Sequence, residues 1–163
     1  MLIALLSILI MGTGSVTHAP DSPFLETYRK PVQKELALLW PGFGTIGPAS
    51  GKTTRECYPV RDTAGKDLGR LVLTDAQGRF DRFDLMIVTD QSNAIRLIKI
   101  LKYRSDYGSE ITNKRWLGQF YGPRKGEFVL RKNIDAISGA TFSSGGLVDE
   151  INAVLKELDS GAI

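Results

Sequence analysis

The end of the chain carries the pattern that most restricts its fold. In residues 143–158 the apolar side chains recur at spacings of three and four positions. They are Leu147, Ile151, Val154, Leu155 and Leu158. This spacing places them on one face of an amphipathic helix. A second helix is predicted for residues 24–40, and Pro31 is expected to kink or restart it.

The sequence between the two helices is typical of a sheet. The segments with strand-like patterns are residues 55–60, 68–74, 83–89 and 94–103. The last of them alternates in hydropathy and favours a strand, with a helix as the alternative. Residues 44–53 are predicted as a Gly/Pro/Ser loop and residues 113–121 as a short aromatic helix. Together these elements predict a single α+β domain, with a central antiparallel sheet flanked by helices.

The first residues have the character of a targeting segment. Residues 2–11 form an uncharged apolar run, shorter than the about 20 residues that a membrane-spanning helix needs. Such a run, followed by small residues up to Ala19, is typical of a secretory signal peptide. An uncleaved N-terminal anchor and a buried helix are the alternatives, because no Lys or Arg precedes the run. We therefore expect a periplasmic or extracellular location.

These patterns divide the chain into three parts. Residues 1–19 are assigned to the signal peptide or anchor, residues 20–53 to a linker and N-terminal helix, and residues 54–163 to the folded domain. Because of the apolar leader, association of the full chain with a membrane is a further expectation.

Composition argues against several kinds of site. The net charge of the 163 residues is +3 and the basic residues are scattered, so no nucleic-acid partner is indicated. With Cys57 as the one cysteine, no intramolecular disulfide forms. His18 and Cys57 are too few ligands for a zinc centre, and no metal site is predicted. A Gly-rich dinucleotide fingerprint is also missing, which leaves few candidates for catalysis.

Residues 133–144 form the segment with the clearest chemical potential. They read Asn-Ile-Asp-Ala-Ile-Ser-Gly-Ala-Thr-Phe-Ser-Ser and lead directly into the C-terminal helix. Small residues let a ligand approach the backbone, and the first turn of a helix offers unpaired N–H groups and the positive end of its dipole. A phosphate suits such a site. An ordinary N-cap is the alternative, because Ser and Thr are preferred there, and a P-loop is excluded because the Gly-Lys-Ser/Thr ending is missing.

Residues 135–144 resemble the flavinylation motif of the FMN-binding domain family. That family includes the subunits that carry covalent FMN in the sodium-translocating NADH:quinone oxidoreductase and in the Rnf complex. Its pattern is an Asp, then Ser/Thr-Gly-Ala-Thr, then a hydroxyl residue and an amphipathic helix. This chain has Asp135, then Ser-Gly-Ala-Thr at 138–141, then Ser143 and Ser144 at the start of the predicted C-terminal helix. The chance of that four-residue core is on the order of 10⁻⁵ per position at average composition. The resemblance extends from about Cys57 to Leu158, so that residues 54–163 would be the FMN-binding domain.

The resemblance implies a role for each residue of the motif. In the family the last Thr holds FMN through a phosphoester, which implies a covalent FMN on Thr141. The implied neighbours of the phosphate are Ser138, Gly139, Ala140, Ser143 and Ser144. Asp135 would orient the loop or face the enzyme that attaches the flavin. That enzyme is a separate Mg²⁺-dependent flavin transferase, because a free threonine hydroxyl is a weak nucleophile.

Residues beside the flavin ring are predicted from the segment after the last strand and from the aromatic helix. The candidates are Tyr103, Arg104, Tyr107, Trp116 and Phe120. Trp116 and Phe120 are alternatively core aromatics, and Arg104 is alternatively a surface or ion-pair residue. Where many family members carry a Glu-Thr-Pro-Gly loop, this chain has Tyr-Arg-Ser-Asp-Tyr-Gly at 103–108.

The implied function is electron transfer outside the cytoplasm, with a redox partner protein or a membrane electron-transport complex. The protein would be a carrier and a substrate of the transferase, and not itself an enzyme. Two alternatives belong to other classes: a flavin-dependent oxidoreductase acting on a small molecule, and a non-redox binding module with Thr141 unmodified. Scattered basic residues near the proposed ring side either steer an acidic partner or only solvate the surface. They are Lys99, Lys102, Arg104, Lys114 and Arg115.

Overall fold

The computed structural model describes residues 22–50, 55–123 and 125–163. Its α-helices are α1 (Pro23–Leu39), α2 (Lys114–Leu117) and α3 (Thr141–Ser160). Its strands are β1 (Phe43–Ile46), β2 (Glu56–Asp62), β3 (Asp67–Gln77), β4 (Arg82–Thr89) and β5 (Ile95–Lys102). Two 3-10 turns, Ser109–Thr112 and Gly118–Phe120, flank α2. The predicted signal peptide or anchor, residues 1–19, lies outside the described residues.

The strands form one antiparallel sheet in the order β1-β2-β3-β4-β5, so every strand pairs with its neighbour in sequence. β3 and β4 are paired along the whole of β4, from Arg70 opposite Thr89 to Gln77 opposite Arg82. Their connecting hairpin turn, residues 78–81, projects beyond that end of the sheet. The prediction of an α+β domain with a central antiparallel sheet is confirmed.

Helices cover both faces of the sheet. Along β4, Phe83, Leu85 and Ile87 belong to the core beneath α3. The alternate residues Met86 and Val88 belong to the core beneath α1. Because both faces are covered, β4 is apolar at almost every position, which explains why its sequence lacks a polar face.

Helix α1 begins at a side-chain cap and continues through its proline. The Ser22 hydroxyl accepts a hydrogen bond from the N–H of Leu25 at 3.2 Å. Pro31 does not restart the helix, although a proline inside a helix costs about 3 kcal/mol. Val32 and Leu36 lie beyond it and are fully buried against the sheet. Burial of such side chains contributes about 1.5–3 kcal/mol each, which offsets the missing hydrogen bond.

A polar network fixes α1 to β4. Tyr28 donates a hydrogen bond to the Asp84 carboxylate, and Arg104 donates two more, at 2.9 and 2.6 Å. Burial and the bond to Asp84 raise the pKa of Tyr28 to about 12. Burial alone would raise the pKa of Asp84, but the bonds from Arg104 and Tyr28 hold it below its ordinary value. The network therefore stabilises the fold above the ordinary carboxyl pKa and is lost as the pH falls through the lowered one.

Helix α3 is attached to the other face by an ion-pair network and by close backbone packing. Arg55 donates to both Glu150 oxygens, at 2.7 and 2.9 Å, and the Thr74 hydroxyl donates to Glu150 at 2.6 Å. Near the start of the helix, Gly146 lies against the last residue of β3. A Cβ placed on Gly146 would be 1.9 Å from the carbonyl oxygen of Gln77. The absence of a side chain at Gly146 is what lets α3 pack this closely.

Several element boundaries differ from the sequence-based expectation. Residues 43–46 form β1, where a loop is expected from residue 44 onward, because pairing with β2 overrides a weak local preference. Strand β3 extends to Gln77, which moves its turn toward residue 80. The expected aromatic helix is divided into α2 and a 3-10 turn. Helix α3 begins two residues earlier than expected, at Thr141 itself.

Candidate functional site

The first residue of α3 is Thr141, and its side chain is exposed. The preceding residue, Ala140, is the N-cap and has no side chain that can accept a hydrogen bond from the first turn. Most helices place Ser, Thr, Asp or Asn at this position to satisfy those N–H groups. The motif hydroxyls are therefore not used as an ordinary N-cap, and the positive end of a 20-residue helix is left open beside the Thr141 hydroxyl.

The two serines that follow are buried and bonded within the protein. Ser143 Oγ lies 2.7 Å from the Tyr103 hydroxyl, and Ser144 Oγ donates to the Thr141 carbonyl at 3.2 Å. Both hydroxyls therefore form hydrogen bonds that hold the first turn of α3 in place. By contrast, Ser138 and Gly139 are exposed in the loop before the helix.

The segment after β5 packs against this first turn. The Tyr103 hydroxyl, already in contact with Ser143, donates to the Tyr107 carbonyl at 2.7 Å. Gly108 has a φ of 86°, and a Cβ there would lie 2.7 Å from the Tyr103 hydroxyl and 2.8 Å from Ser143 Oγ. Tyr103, Tyr107 and Gly108 are thus fixed beside the start of α3, and the place of the two tyrosines beside a flavin ring stays a prediction.

The β3–β4 hairpin turn also reaches the start of α3. The Arg79 guanidinium lies 5.1 Å from the centre of the Phe80 ring and 5.6 Å from the centre of the Phe142 ring. The rings of Phe80 and Tyr107 meet edge to face with their centres 6.3 Å apart. Arg79, Phe80 and Phe142 were not predicted from the sequence. The local signals are an aromatic residue at a hairpin tip and another directly after the motif threonine, and neither predicts that the two segments meet.

Arg104 is not part of this site. Its guanidinium binds Asp84, whose position on β4 places it on the same face as Met86 and Val88, beneath α1. Helix α3 and Thr141 belong to the opposite side of the sheet. The structure therefore shows the ion-pair alternative for Arg104, whose guanidinium also donates to the Arg82 carbonyl at 2.9 Å.

Trp116 and Asp135 lie together, on the α3 side of the sheet. The Trp116 indole N–H donates to the Asp135 carbonyl at 2.8 Å, and Gln119 accepts from the Asp135 N–H at 2.9 Å. Trp116 is 7% exposed and packs edge to face on Phe120. Both aromatics thus have the core role that was the alternative for them, while the Asp135 side chain is exposed beside a cavity of about 310 Å³.

The residues present fit a phosphate group held at the start of α3. The N-cap offers no acceptor to the first-turn N–H groups, so an incoming phosphate oxygen would not have to displace a side chain. The Thr141 hydroxyl is on the surface, where a second protein can reach it. Ser138 and Gly139 are exposed in the loop before Thr141, and their place around a phosphate stays a prediction.

Comparisons with known proteins bear on the fold. No protein-family model matches the sequence, and no curated protein is significantly similar to it. Among solved structures, the fold is similar to the crystal structure of Shewanella oneidensis NqrC, with a TM-score of 0.50 and 18% sequence identity. The similarity covers 66% of this chain and 63% of that one, so the chain matches less than two thirds of NqrC. At this identity the likeness shows a shared fold.

Metal-binding clusters and membrane-spanning helices are both missing from the described residues. No cluster of three or more His, Cys, Asp or Glu side chains suited to a metal is found in residues 22–50, 55–123 and 125–163. Within the same residues, none of the helices has the length and apolar character to span a bilayer. Cys57 is buried beneath α3, and burial raises the pKa of its thiol, which makes it a poor nucleophile.

Proposed function

We propose that this protein is an electron-carrying flavoprotein with FMN joined to Thr141 by a phosphoester. The observation that carries the proposal is the position of Thr141. Its exposed hydroxyl stands at the open N-terminus of α3, inside a sequence that resembles a flavinylation motif. The likeness of the fold to NqrC supports the same proposal. The sequence motif points independently to the FMN-binding domain family, which has a member in the sodium-translocating NADH:quinone oxidoreductase.

The chain's own residues would hold the group as follows. Thr141 supplies the oxygen of the phosphoester, and the first-turn N–H groups donate to the remaining phosphate oxygens. Ser143 and Ser144 keep that turn rigid through their bonds to Tyr103 and to the Thr141 carbonyl. The FMN, when bound, supplies the redox chemistry, and the protein fixes its position and surroundings. A covalent bond also prevents loss of the cofactor in a compartment with little free flavin.

The proposal is tested by producing the protein together with an active flavin transferase and Mg²⁺. We expect the intact mass to rise by that of FMN less one water, because a phosphoester forms with loss of water. The protein should also fluoresce in a denaturing gel, where non-covalent flavin is removed. Protein made without the transferase is the control. An unchanged mass beside a transferase that modifies a known substrate would favour the non-redox binding module.

We further propose a carrier rather than an enzyme. The start of α3 is an exposed surface, whereas an enzyme for a small molecule needs a concave pocket with positioned acid–base groups. In stopped-flow experiments NADH alone should reduce the holoprotein slowly, and a membrane donor fraction should reduce it quickly. Rapid, saturable turnover with NADH and a small acceptor would instead establish an oxidoreductase.

The same stopped-flow experiment is repeated at increasing salt concentration. Of the basic residues considered for steering, Lys99 pairs with Glu35 and Arg104 pairs with Asp84. Steering of an acidic partner would therefore depend mainly on the exposed residues Lys102, Lys114 and Arg115. Reduction by the membrane donor should slow as salt rises, since exposed charges are screened over about 10 Å at 0.1 M salt.

We also propose that the mature protein works outside the cytoplasm, bound to the membrane or free. The apolar run at residues 2–11 supports this location. Cell fractionation with mass spectrometry of the N-terminus should find the holoprotein in the periplasm or at the membrane. Loss of residues up to about Ala19 would indicate a cleaved signal, and a full-length membrane form an anchor. Recovery only from the cytosol, beginning at Met1, would contradict the proposal.

A further inference from the structure

Three exposed aromatic side chains and one arginine form a surface patch beside Thr141. Phe80 is 64% exposed, and Tyr107 and Phe142 are each 66% exposed. We call these residues, with Arg79, the aromatic patch. Among the described residues the other large exposed hydrophobics are Leu38 on α1, and Tyr121 and Val129 in the segment between the second 3-10 turn and α3. Half of the exposed hydrophobic residues are therefore gathered at the start of α3.

The aromatic patch is not explained by packing within the fold. Three aromatic side chains that are each about two-thirds exposed leave on the order of 300 Å² of ring surface in water. That is within the range of patches that bind something on soluble proteins. Contacts within the patch, such as the edge-to-face pair of Phe80 and Tyr107, contribute about 0.5–1.5 kcal/mol and leave most of the ring surface open.

Arg79 gives the patch a positive charge without a counter-ion. No carboxylate of the described chain forms an ion pair with Arg79, whose guanidinium lies over Phe80 and Phe142. The carboxylates of Asp75 and Asp84 are bound by Arg82 and Arg104 instead. A surface that is both aromatic and cationic suits an aromatic ligand that gains negative charge.

We infer that the aromatic patch is the seat of the isoalloxazine ring of the FMN on Thr141. This inference rests on the proposed function. Phe142 directly follows the attachment residue, so a ring tethered there by a ribityl chain has the patch within reach. The ring lies against Phe142, Phe80 and Tyr107, and Arg79 stands beside it. The ring contacts are then residues of the hairpin turn, of the segment after β5 and of the first turn of α3, and not Arg104 or Trp116.

The proposed position of the ring is tested by comparing the flavin fluorescence of the native holoprotein with that of the same sample after unfolding. A tyrosine in contact with a flavin quenches its emission by electron transfer to the excited ring, and phenylalanine does not. Tyr107→Phe should therefore increase the native emission several-fold while keeping the shape of the side chain. Tyr121→Phe is the matched control, because Tyr121 is also exposed but contacts Ile98 in the middle of β5. No increase for Tyr107→Phe, or an equal increase for both variants, would overturn the seat.

The proposed position of Arg79 beside the ring is tested by measuring the midpoint potential of the bound flavin. Arg79→Gln should shift it to a more negative value, because a positive charge beside the ring favours the electron-rich reduced form. Arg61→Gln is the control, since Arg61 is exposed on β2 opposite the start of β3, away from the hairpin turn. An unchanged potential in Arg79→Gln would overturn its place beside the ring. Intact mass is measured first for every variant, so that failure to attach FMN, which concerns the proposed function, is separated from misplacement of the ring.

Discussion

Thr141→Ala should yield a folded protein that carries no covalent flavin. The substitution removes the oxygen of the proposed phosphoester and changes nothing in the core, because the Thr141 side chain is exposed at the first position of α3. Alanine is a good helix former, so the free energy of unfolding of the unmodified protein should change by less than about 1 kcal/mol. The measurements are intact mass after co-expression with the transferase, in-gel fluorescence, and thermal unfolding of the unmodified form.

Ser138→Ala provides the matched control for this variant. Ser138 is an accessible hydroxyl residue of the same motif, three positions before Thr141. Its removal should leave the mass gain in place, although it slows attachment if the hydroxyl binds the phosphate. Covalent flavin that persists in Thr141→Ala would contradict the assignment of Thr141 as the attachment residue. Loss of flavin in both variants with intact folds would show that the transferase requires the motif as a whole.

Gly146→Ala should destabilise the protein strongly. The added Cβ would lie 1.9 Å from the Gln77 carbonyl oxygen and 2.9 Å from the carbonyl carbon, and backbone atoms cannot rotate away. Helix α3 must therefore move off β3, at a cost of about 3 kcal/mol. For a domain of this size the unfolding temperature should fall by roughly 6–12 °C. Because Thr141 is on the same helix, flavin attachment by the transferase should slow as well.

Gly145→Ala is the control at the adjacent position. A Cβ on Gly145 meets no other atom within 4 Å. Alanine in place of a helical glycine should leave stability unchanged or raise it by up to about 1 kcal/mol. Thermal unfolding of the two variants, compared by circular dichroism, decides the matter. Equal unfolding temperatures would contradict the close packing of α3 on β3.

Much of the fold follows from local sequence patterns. Both long helices and β2 to β5 are predictable, because β4 and its neighbours carry enough apolar residues to be identified without a partner. Strand β1 is not, since a four-residue edge strand of Phe-Gly-Thr-Ile is decided by its partner β2 and not by its own preference. The continuity of α1 through Pro31 escapes prediction for a similar reason, because burial of Val32 and Leu36 is a tertiary effect.

The candidate site is predictable only where it is continuous in sequence. The start of the last helix is predictable to within two residues of Thr141, because small residues precede an amphipathic pattern. The side of the sheet that Arg104 faces depends on strand register, in which a shift of one residue exchanges the faces. The approach of Arg79 and Phe80 to Phe142 depends on where a hairpin tip lies in space, and nothing local in residues 78–81 encodes that.

Ala140 is buried in the core beneath α3, and it supplies no side-chain acceptor to the first-turn N–H groups. A side-chain cap typically stabilises a helix by about 1 kcal/mol, and α3 begins without one. If FMN is attached to Thr141 as proposed, its phosphate would supply the missing acceptor. Maturation of this protein would then complete its fold as well as its chemistry.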